Sequence, residues 1–181
     1  MTLVWLKRFH DDHTALLAIL PKLEGNLKEI EHGEAGENVI WELIEFEELI
    51  KNVIIPHFRE EEKSVYPRAS GAGGEEYGSF FEGLYKEHDI LYEAFDGFFK
   101  VLDESRPPAK SGGRGKLVRP PVSVAKTPKN FDRVRPVQVL HINREEILKH
   151  GNSIIKYLKI HINKEETVVA ELAGRVRKEG G

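Results

Sequence analysis

The stretch His57-Phe58-Arg59-Glu60-Glu61-Glu62 places a histidine and a glutamate four residues apart, and His161-Ile162-Asn163-Lys164-Glu165-Glu166 repeats that spacing. Residues i and i+4 lie on one face of an α-helix, so each stretch directs an imidazole and a carboxylate towards the same point. In both stretches this face continues an apolar stripe of helical period. A buried carboxylate is costly unless it is paired or bound to a metal. The two stretches therefore predict helices whose buried faces carry polar ligands.

Apolar residues at steps of three and four predict two further long helices around these stretches. The four predicted helices cover residues 3–30, 37–66, 75–103 and 143–177, with Asn143 as the N-cap of the last and a kink at Pro56. No strand pattern interrupts them, and the first two connections are short. We therefore expect an all-α fold, an antiparallel up-down four-helix bundle forming a single domain over residues 1–181.

A segment of different composition, residues 106–141, separates the third and fourth predicted helices. It holds six of the nine prolines and nine Lys or Arg residues against a single acid, Asp132. Residues 117–118 and 122–124 could pair as a short hairpin. A loop of this length in a compact domain is either functional or disordered. It could be a solvated loop, a lid over the acidic bundle near the site, or a binding segment for an anionic partner.

The composition excludes several kinds of chemistry. The 181 residues include no cysteine, which removes disulfides, thiolate metal sites, iron–sulfur clusters and thiol nucleophiles. Any metal must be held by His, Asp, Glu or Tyr. The net charge of −3 predicts no overall attraction to nucleic acid or to an anionic membrane. Because the sequence shows neither a signal peptide nor 18 consecutive apolar residues, we expect a cytoplasmic protein.

Each predicted helix has one candidate histidine ligand on its apolar face: His13, His57, His88 and His161. The same order occurs twice along the chain: a helix with one histidine is followed by a helix with a histidine and a glutamate four residues apart. His57 follows His13 by 44 residues and His161 follows His88 by 73, so removing about 29 residues of the basic segment restores the shorter spacing. A pseudo-twofold bundle would bring six ligands together near its axis.

Six ligands are too many for one tetrahedral zinc ion. Two carboxylates can each bridge a pair of metal ions, which leaves about two histidines for each ion, and cores of helical bundles hold such sites. Imidazole and carboxylate together suit iron, manganese or zinc. The candidate metal ligands are His13, His57, Glu61, His88, His161 and Glu165.

Segments 9–17, 57–61, 87–89 and 161–166 resemble the hemerythrin-like, or HHE cation-binding, family. The resemblance covers all four predicted helices. It implies a non-haem centre of two iron ions with an oxo or hydroxo bridge. In that centre Glu61 and Glu165 would bridge the ions, and His13, His57, His88 and His161 would be terminal ligands.

The sequence departs from the oxygen-carrying hemerythrins at two places. These carriers have a fifth histidine one turn after that of the third helix, where this chain has Tyr92, and an Asp five residues after the last histidine, where Glu165 comes four after. The four-His, two-Glu set resembles instead the members linked to repair of iron centres, nitric oxide responses and iron sensing. Fewer imidazoles imply more open iron positions, which favours reaction with O2, NO or peroxide over reversible carriage.

The first functional hypothesis is therefore a protein that binds or senses O2, NO or peroxide through a His4Glu2 centre. The alternatives are a di-iron enzyme of peroxide or NO detoxification or of iron-centre repair, which needs a redox partner, an iron storage or delivery protein, and a structural bundle that binds no metal. The sequence does not decide whether the protein is an enzyme. A membrane partner is not expected, and a nucleic-acid partner is poorly supported because Phe131 is the only aromatic residue in the basic segment.

Several other residues have weaker claims to the site. His10 lies one turn from His13 and could replace or support it, and Tyr92 could be a core residue, an interface residue or a hydrogen-bond donor near the metal. His150 is expected to be a core or capping residue. His32 and His141 are expected to be solvated. Surface positions are expected for Glu60, Glu62 and Glu166, although a neighbouring glutamate could move in as an alternative ligand.

Overall fold

The computed structural model describes residues 3–67, 75–105 and 143–179, and every regular element within them is helical. The four longer α-helices are α1 (Leu3–His32), α2 (Glu37–Leu49), α4 (Glu75–Ser105) and α5 (Arg144–Glu179). A short helix, α3 (Ile55–Glu60), lies between α2 and α4. The predicted all-α class and the four long helical segments are confirmed. The basic segment 106–141, its hairpin and His141 lie outside the described residues.

The second predicted helix is divided by two π-helical segments. α2 is followed by the segment Ile50–Ile54, then by α3, and then by the segment Glu61–Val65. The N–H of Ile55 bonds to the carbonyl of Ile50, five residues back. Pro56, which has no N–H to donate, comes directly afterwards in the first turn of α3, where proline is tolerated. A π-helical segment thus adjoins the proline at which the sequence predicts a kink.

The helices pack in a closed arrangement that is consistent with a bundle. α5 packs against α1 and α4, and α2 packs against the same two helices. At the start of α5, Asn143 Oδ1 accepts a hydrogen bond from the Glu146 N–H at 3.3 Å, which confirms the predicted N-cap. Within the described ranges, no helix combines the length and apolar character needed to span a membrane.

The apolar interior consists of two clusters. The larger cluster contains buried residues of every helix, among them Leu20, Leu43, Phe98 and Ile154. The smaller cluster, which we call the end cluster, consists of Val65, Tyr66, Tyr77, Phe81, Leu84 and Val168 with Phe80 packed against it. On α4, for example, His88 lies between Leu84 of the end cluster and Leu91 of the larger one. The candidate ligands therefore occupy a polar layer between two apolar clusters.

Gly97 of α4 provides the space that His150 of α5 occupies. A methyl group at Gly97 would lie 2.1 Å from Cε1 of His150, whose Nε2 is 3.1 Å from a carboxylate oxygen of Glu146. We expect Gly97→Ala to lower the free energy of unfolding by about 1–3 kcal/mol, since the imidazole or the backbone must move. Chemical denaturation would measure the change.

Gly83, on the same helix, is the matched control for this prediction. A Cβ there meets no atom within 4 Å. Gly83→Ala should therefore raise the free energy of unfolding by up to about 1 kcal/mol, because alanine is the better helix former. Equal stabilisation by both substitutions would show that His150 does not pack on Gly97.

Candidate metal centre

The fold brings all six candidate ligands together in the polar layer. Five of them are at most 2% exposed: His13, Glu61, His88, His161 and Glu165. The side chain of His57 is 10% exposed. They come from α1, from the region of α3 and the π-helical segment after it, from α4 and from α5. Each long helical segment thus contributes at least one imidazole, as the repeat in the sequence predicts.

Glu61 lies between two pairs of imidazoles. Its Oε1 is 2.7 Å from Nε2 of His57 and 3.5 Å from Nε2 of His13. Its Oε2 is 3.2 Å from Nε2 of His88 and 3.9 Å from Nε2 of His161. Each carboxylate oxygen therefore faces a different pair, which is the arrangement that a carboxylate shared by two metal ions requires.

Glu165 approaches one imidazole from each of these pairs. Its Oε2 is 3.1 Å from Nε2 of His13 and 3.3 Å from Nε2 of His161. The ligating atoms form two groups within 4.8 Å, one of His13, His57 and Glu61 and one of Glu61, His88 and His161. Glu61 belongs to both groups.

Two of the buried carboxylate oxygens make no well-oriented hydrogen bond. Oε1 of Glu61 and Oε2 of Glu165 lie 2.7–3.5 Å from imidazole nitrogens, but none of these contacts within the described residues has hydrogen-bond geometry. Buried polar atoms nearly always have a hydrogen-bond partner. Nε2 of His88 and Nε2 of His161 also approach each other to 2.9 Å. Oxygens without a hydrogen bond and nitrogens that converge on one point fit ligation of a cation.

The histidines of α1 and α4 each meet a glutamate on their other ring nitrogen. His13 Nδ1 is 2.8 Å from Oε1 of Glu166, and His88 Nδ1 is 2.7 Å from Oε1 of Glu62. Each of these glutamates directly follows a candidate bridging glutamate in the sequence. The prediction that Glu62 and Glu166 are surface charges is therefore wrong, because both are half-buried and bonded to candidate ligands.

The other two histidines face acids that precede a histidine in the sequence. His161 Nδ1 is 3.3 Å from Oε2 of Glu87, and His57 Nδ1 is 3.7 Å from Oδ2 of Asp12. A carboxylate at Nδ1 orients an imidazole and leaves Nε2 to bind metal. All four candidate imidazoles thus have an acid at Nδ1. In each half of the internal repeat, one histidine meets the acid that follows a candidate bridging glutamate, and the other meets an acid that precedes a histidine.

The buried charges shift one another's pKa values. Burial alone would lower the pKa of an imidazole because it disfavours the cation. The carboxylates of Glu165 and Glu61 outweigh this effect, so the pKa of His13 rises to about 10 and that of His161 to about 11. Burial likewise would raise the pKa of Glu61, but the surrounding imidazoles hold it well below its usual range. The buried carboxylates thus favour the protonated, cationic form of the His13 and His161 imidazoles.

Tyr66 also lies in this layer, and sequence reasoning missed it. Its buried hydroxyl donates a hydrogen bond to Oε1 of Glu165 and lies 3.4 Å from both Oε2 of Glu61 and Nε2 of His88. An α-helix would not place a residue five positions after Glu61 on the same face, so periodicity gave no signal for it. The π-helical segment Glu61–Val65 changes the helical period and brings Tyr66 to the face that carries Glu61.

The remaining candidates lie outside the two groups of ligating atoms. His10 is exposed and pairs with Glu166 at 2.9 Å, and the Tyr92 hydroxyl donates to Glu62 Oε1 at 3.5 Å. The exposed positions predicted for His32 and Glu60 are confirmed. His150, half-buried against Gly97, bonds within its own helix as the prediction of a core or capping residue suggests.

Aromatic rings close one side of the layer, and a cavity opens on another. Phe58 stacks on His88 with ring centroids 4.0 Å apart and meets His161 edge-on at 5.3 Å. A cavity of about 690 Å³ between α1 and the second helical segment reaches His57 and Glu61. A small molecule therefore has a route to His57 and Glu61.

The hemerythrin HHE cation binding domain model matches residues 5–146 of this sequence. The chain belongs to that family. No curated protein and no solved structure matches it. The region matched to the hemerythrin model includes His13, His57, Glu61 and His88, whereas His161 and Glu165 lie beyond it and are brought to the other four by the fold. Family membership and the two groups of ligating atoms together indicate a metal-binding hemerythrin domain.

The acids at Nδ1 should tune the affinity of this hemerythrin domain for metal. We expect Glu62→Gln, which keeps the size of the side chain but removes its charge, to weaken metal binding about 10–100-fold. Competition against a chromophoric chelator would measure the affinity. Glu60→Gln is the matched control, because Glu60 is exposed and takes no part in the pair with His88. Equal affinities of the two variants would contradict the role given to Glu62.

Proposed function

We propose that this hemerythrin-family protein holds two iron ions in the polar layer and uses them to bind or sense O2, NO or peroxide. The proposed ligands are His13, His57, Glu61, His88, His161 and Glu165. The proposal includes an antiparallel bundle as a single domain, with residues 106–141 inserted between its last two helices. The connection of four residues between α1 and α2 supports this topology, because short links join antiparallel neighbours.

The position of Glu61 is the observation that carries the proposal. Its two oxygens face different imidazole pairs, at 2.7 and 3.5 Å on one side and at 3.2 and 3.9 Å on the other. A site for one metal ion would gather the imidazoles around a single point. Two imidazole pairs about one carboxylate support two metal positions. Manganese and zinc suit the same ligands, and iron is favoured by the family.

A pair of reduced iron ions would supply open coordination positions and electrons for a small ligand. The protein's own residues keep the site ordered and partly closed. Glu62 and Glu166 orient the imidazoles of His88 and His13, and Phe58 covers the imidazole of His88 against solvent. The cavity at His57 gives a diatomic molecule or peroxide access from one side.

The surroundings of Tyr92 support reactive binding over protected oxygen carriage. Tyr92 occupies the position of the fifth histidine of the carriers, and its hydroxyl points to Glu62, 3.5 Å away. This position therefore supplies no imidazole to the site. One ligand fewer leaves more room for a small molecule, as binding or sensing requires.

Metal content and the absorption spectrum, measured on protein reduced without air and then exposed to it, test the proposal. We expect about two irons per chain and oxo-bridge charge-transfer bands that shift when azide is added. A single tightly held zinc ion, or protein that binds no iron on reconstitution, would overturn the di-iron assignment.

The cavity also favours a second candidate function, an enzyme that reduces peroxide or NO with electrons from a redox partner. Its volume of about 690 Å³ exceeds what one diatomic ligand needs and offers a path for product release. Turnover of peroxide or NO by iron-loaded protein with an artificial electron donor separates the two functions. Many turnovers per centre would establish the enzyme, whereas a single stoichiometric event would favour the sensor.

A further inference from the structure

We propose that Tyr66 is a seventh ligand of the metal centre, an oxygen donor to the position formed by His88 and His161. The centre would then be asymmetric, with its open side at His13 and His57. This inference rests on the proposed di-iron function, since it assigns a ligand to the same site. Family membership does not imply it, because the matching histidine and glutamate motifs contain no tyrosine.

The Tyr66 hydroxyl lies where a ligand of this position would lie. It is 3.4 Å from Nε2 of His88 and 3.4 Å from Oε2 of Glu61, and it donates a hydrogen bond to Glu165. These distances resemble the 3.2 Å between Oε2 of Glu61 and Nε2 of His88, two atoms already assigned to that position. The phenol oxygen therefore belongs to the same group of converging atoms.

The π-helical segment Glu61–Val65 is what turns Tyr66 towards the site. The Tyr66 N–H bonds to the carbonyl of Glu61, five residues back, so these two residues return to nearly the same face. In an α-helix the fifth residue would point about 140° away. π-helical turns within α-helices are frequent at functional sites. The irregular segment thus adds one oxygen to the polar layer.

The other half of the internal repeat has no such oxygen. α5 continues through Glu165 without a π-helical segment, and the residue five positions after Glu165 is Ala170, which is exposed. The two halves of the site therefore match in their imidazoles and carboxylates but differ at this one position. That difference would give the two metal ions unequal numbers of protein ligands.

The two proposed metal positions also differ in solvent access. His88 and His161 are fully buried, whereas His57 is partly exposed and lines the cavity with Glu61. On this inference the buried position has the extra protein ligand. An external ligand would therefore bind at the position that faces the cavity.

Bond formation at Tyr66 involves a proton but no change of oxidation state. The phenol oxygen forms a bond to ferric iron and gives its proton to solvent, since metal ligands of this kind must be deprotonated. The hydrogen bond to Glu165 is then lost, and that carboxylate oxygen is released. A phenolate bound to ferric iron produces a visible charge-transfer band. Excitation into this band enhances phenolate ring modes in the resonance Raman spectrum, and neither oxo bridges nor imidazoles give those modes.

The experiment compares the full chain, loaded with ferric iron, as wild type, Tyr66→Phe and Tyr92→Phe. Tyr92 is the matched control because its hydroxyl touches Glu62 and no candidate metal ligand. We expect phenolate ring modes, excited through the charge-transfer band, in the wild type and in Tyr92→Phe but not in Tyr66→Phe. Loss of these modes from the control alone would assign another tyrosine and overturn the inference, as would their persistence in Tyr66→Phe.

If Tyr66→Phe binds little iron, the wild type and two control variants still test whether Tyr66 is the ligand. Tyr85→Phe is a second control, since its exposed hydroxyl donates only to the backbone carbonyl of Glu62. Phenolate modes in the wild type and in both controls support Tyr66. About two irons per chain without phenolate modes overturn this inference and leave the di-iron proposal intact. Failure of the wild type to bind iron overturns both.

Discussion

Glu61→Ala is expected to reduce the iron bound by the protein from about two ions per chain to less than one. The physical reason is that Oε1 and Oε2 of Glu61 face different imidazole pairs, so one substitution removes a ligand from both proposed positions. Glu165→Ala should also lose one or both ions. Its effect should be the smaller, because Glu165 approaches His13 and His161 through the same oxygen, Oε2.

Metal analysis after reconstitution and gel filtration measures this loss. Glu60→Ala is the matched control: it removes a neighbouring carboxylate that is exposed and belongs to neither group of ligating atoms. Circular dichroism should show an equally helical chain in all three variants. Full iron content in both Glu61→Ala and Glu165→Ala would show that neither carboxylate bridges.

Removal of the metal by a chelator is expected to lower the melting temperature by roughly 10 °C. Ligand present at about 1,000 times its dissociation constant stabilises the native state by about 4 kcal/mol. For a chain of this size about 1 kcal/mol corresponds to 2–4 °C. Calorimetry of the loaded and stripped protein measures the difference. Glu61→Ala, which should hold little metal, should respond weakly to the chelator, and an equal response would mean that the metal binds elsewhere.

This stabilisation should depend on pH, because protons and metal compete for the same imidazoles. In the metal-free protein the raised pKa values of His13 and His161, about 10 and about 11, give stability that is complete below the unfolded value of 6.5. That stability is lost as the pH rises through the folded values. The lowered pKa values of Glu61 and Glu165 act in the opposite direction, and their contribution is lost as the pH falls below the unfolded value of 4.5.

The metal-free protein should therefore be most stable between about pH 4.5 and 6.5 as far as these four groups determine it. Metal binding displaces protons, so its stabilising effect should increase as the pH rises from about 6 to 9. The gap between the melting temperatures of loaded and stripped protein should widen over that range. A constant gap would mean that His13 and His161 carry no proton when the metal is absent.

The sequence predicts the helices and the six candidate ligands because both depend on local periodicity. His57 and Glu61 lie four residues apart on an apolar stripe, and buried polar residues at that spacing have few explanations. The repeat in the chain also predicts that the second such pair, His161 and Glu165, joins the first. The fold brings these residues together although the matched family region ends at residue 146.

The missed residues depend on contacts that periodicity does not contain. The role of Glu62 follows from the packing of α4 beside it, and the role of Glu166 from the packing of α1. Tyr66 was hidden for a different reason, since a local change from α to π hydrogen bonding alters which face it occupies. Sequence patterns assume a regular helix, so they fail where the helix is irregular.

The division of the apolar interior by the polar layer has a consequence for how the chain unfolds. The end cluster around Tyr66 and Phe81 is small, and it joins the larger cluster through the layer that holds the candidate ligands. Cooperativity between the two clusters therefore depends on what occupies that layer. With cations bound to all the helical segments, the chain should open as one unit. In the stripped protein the end cluster should open first, and amide hydrogen exchange should then be faster near Phe81 than near Phe98.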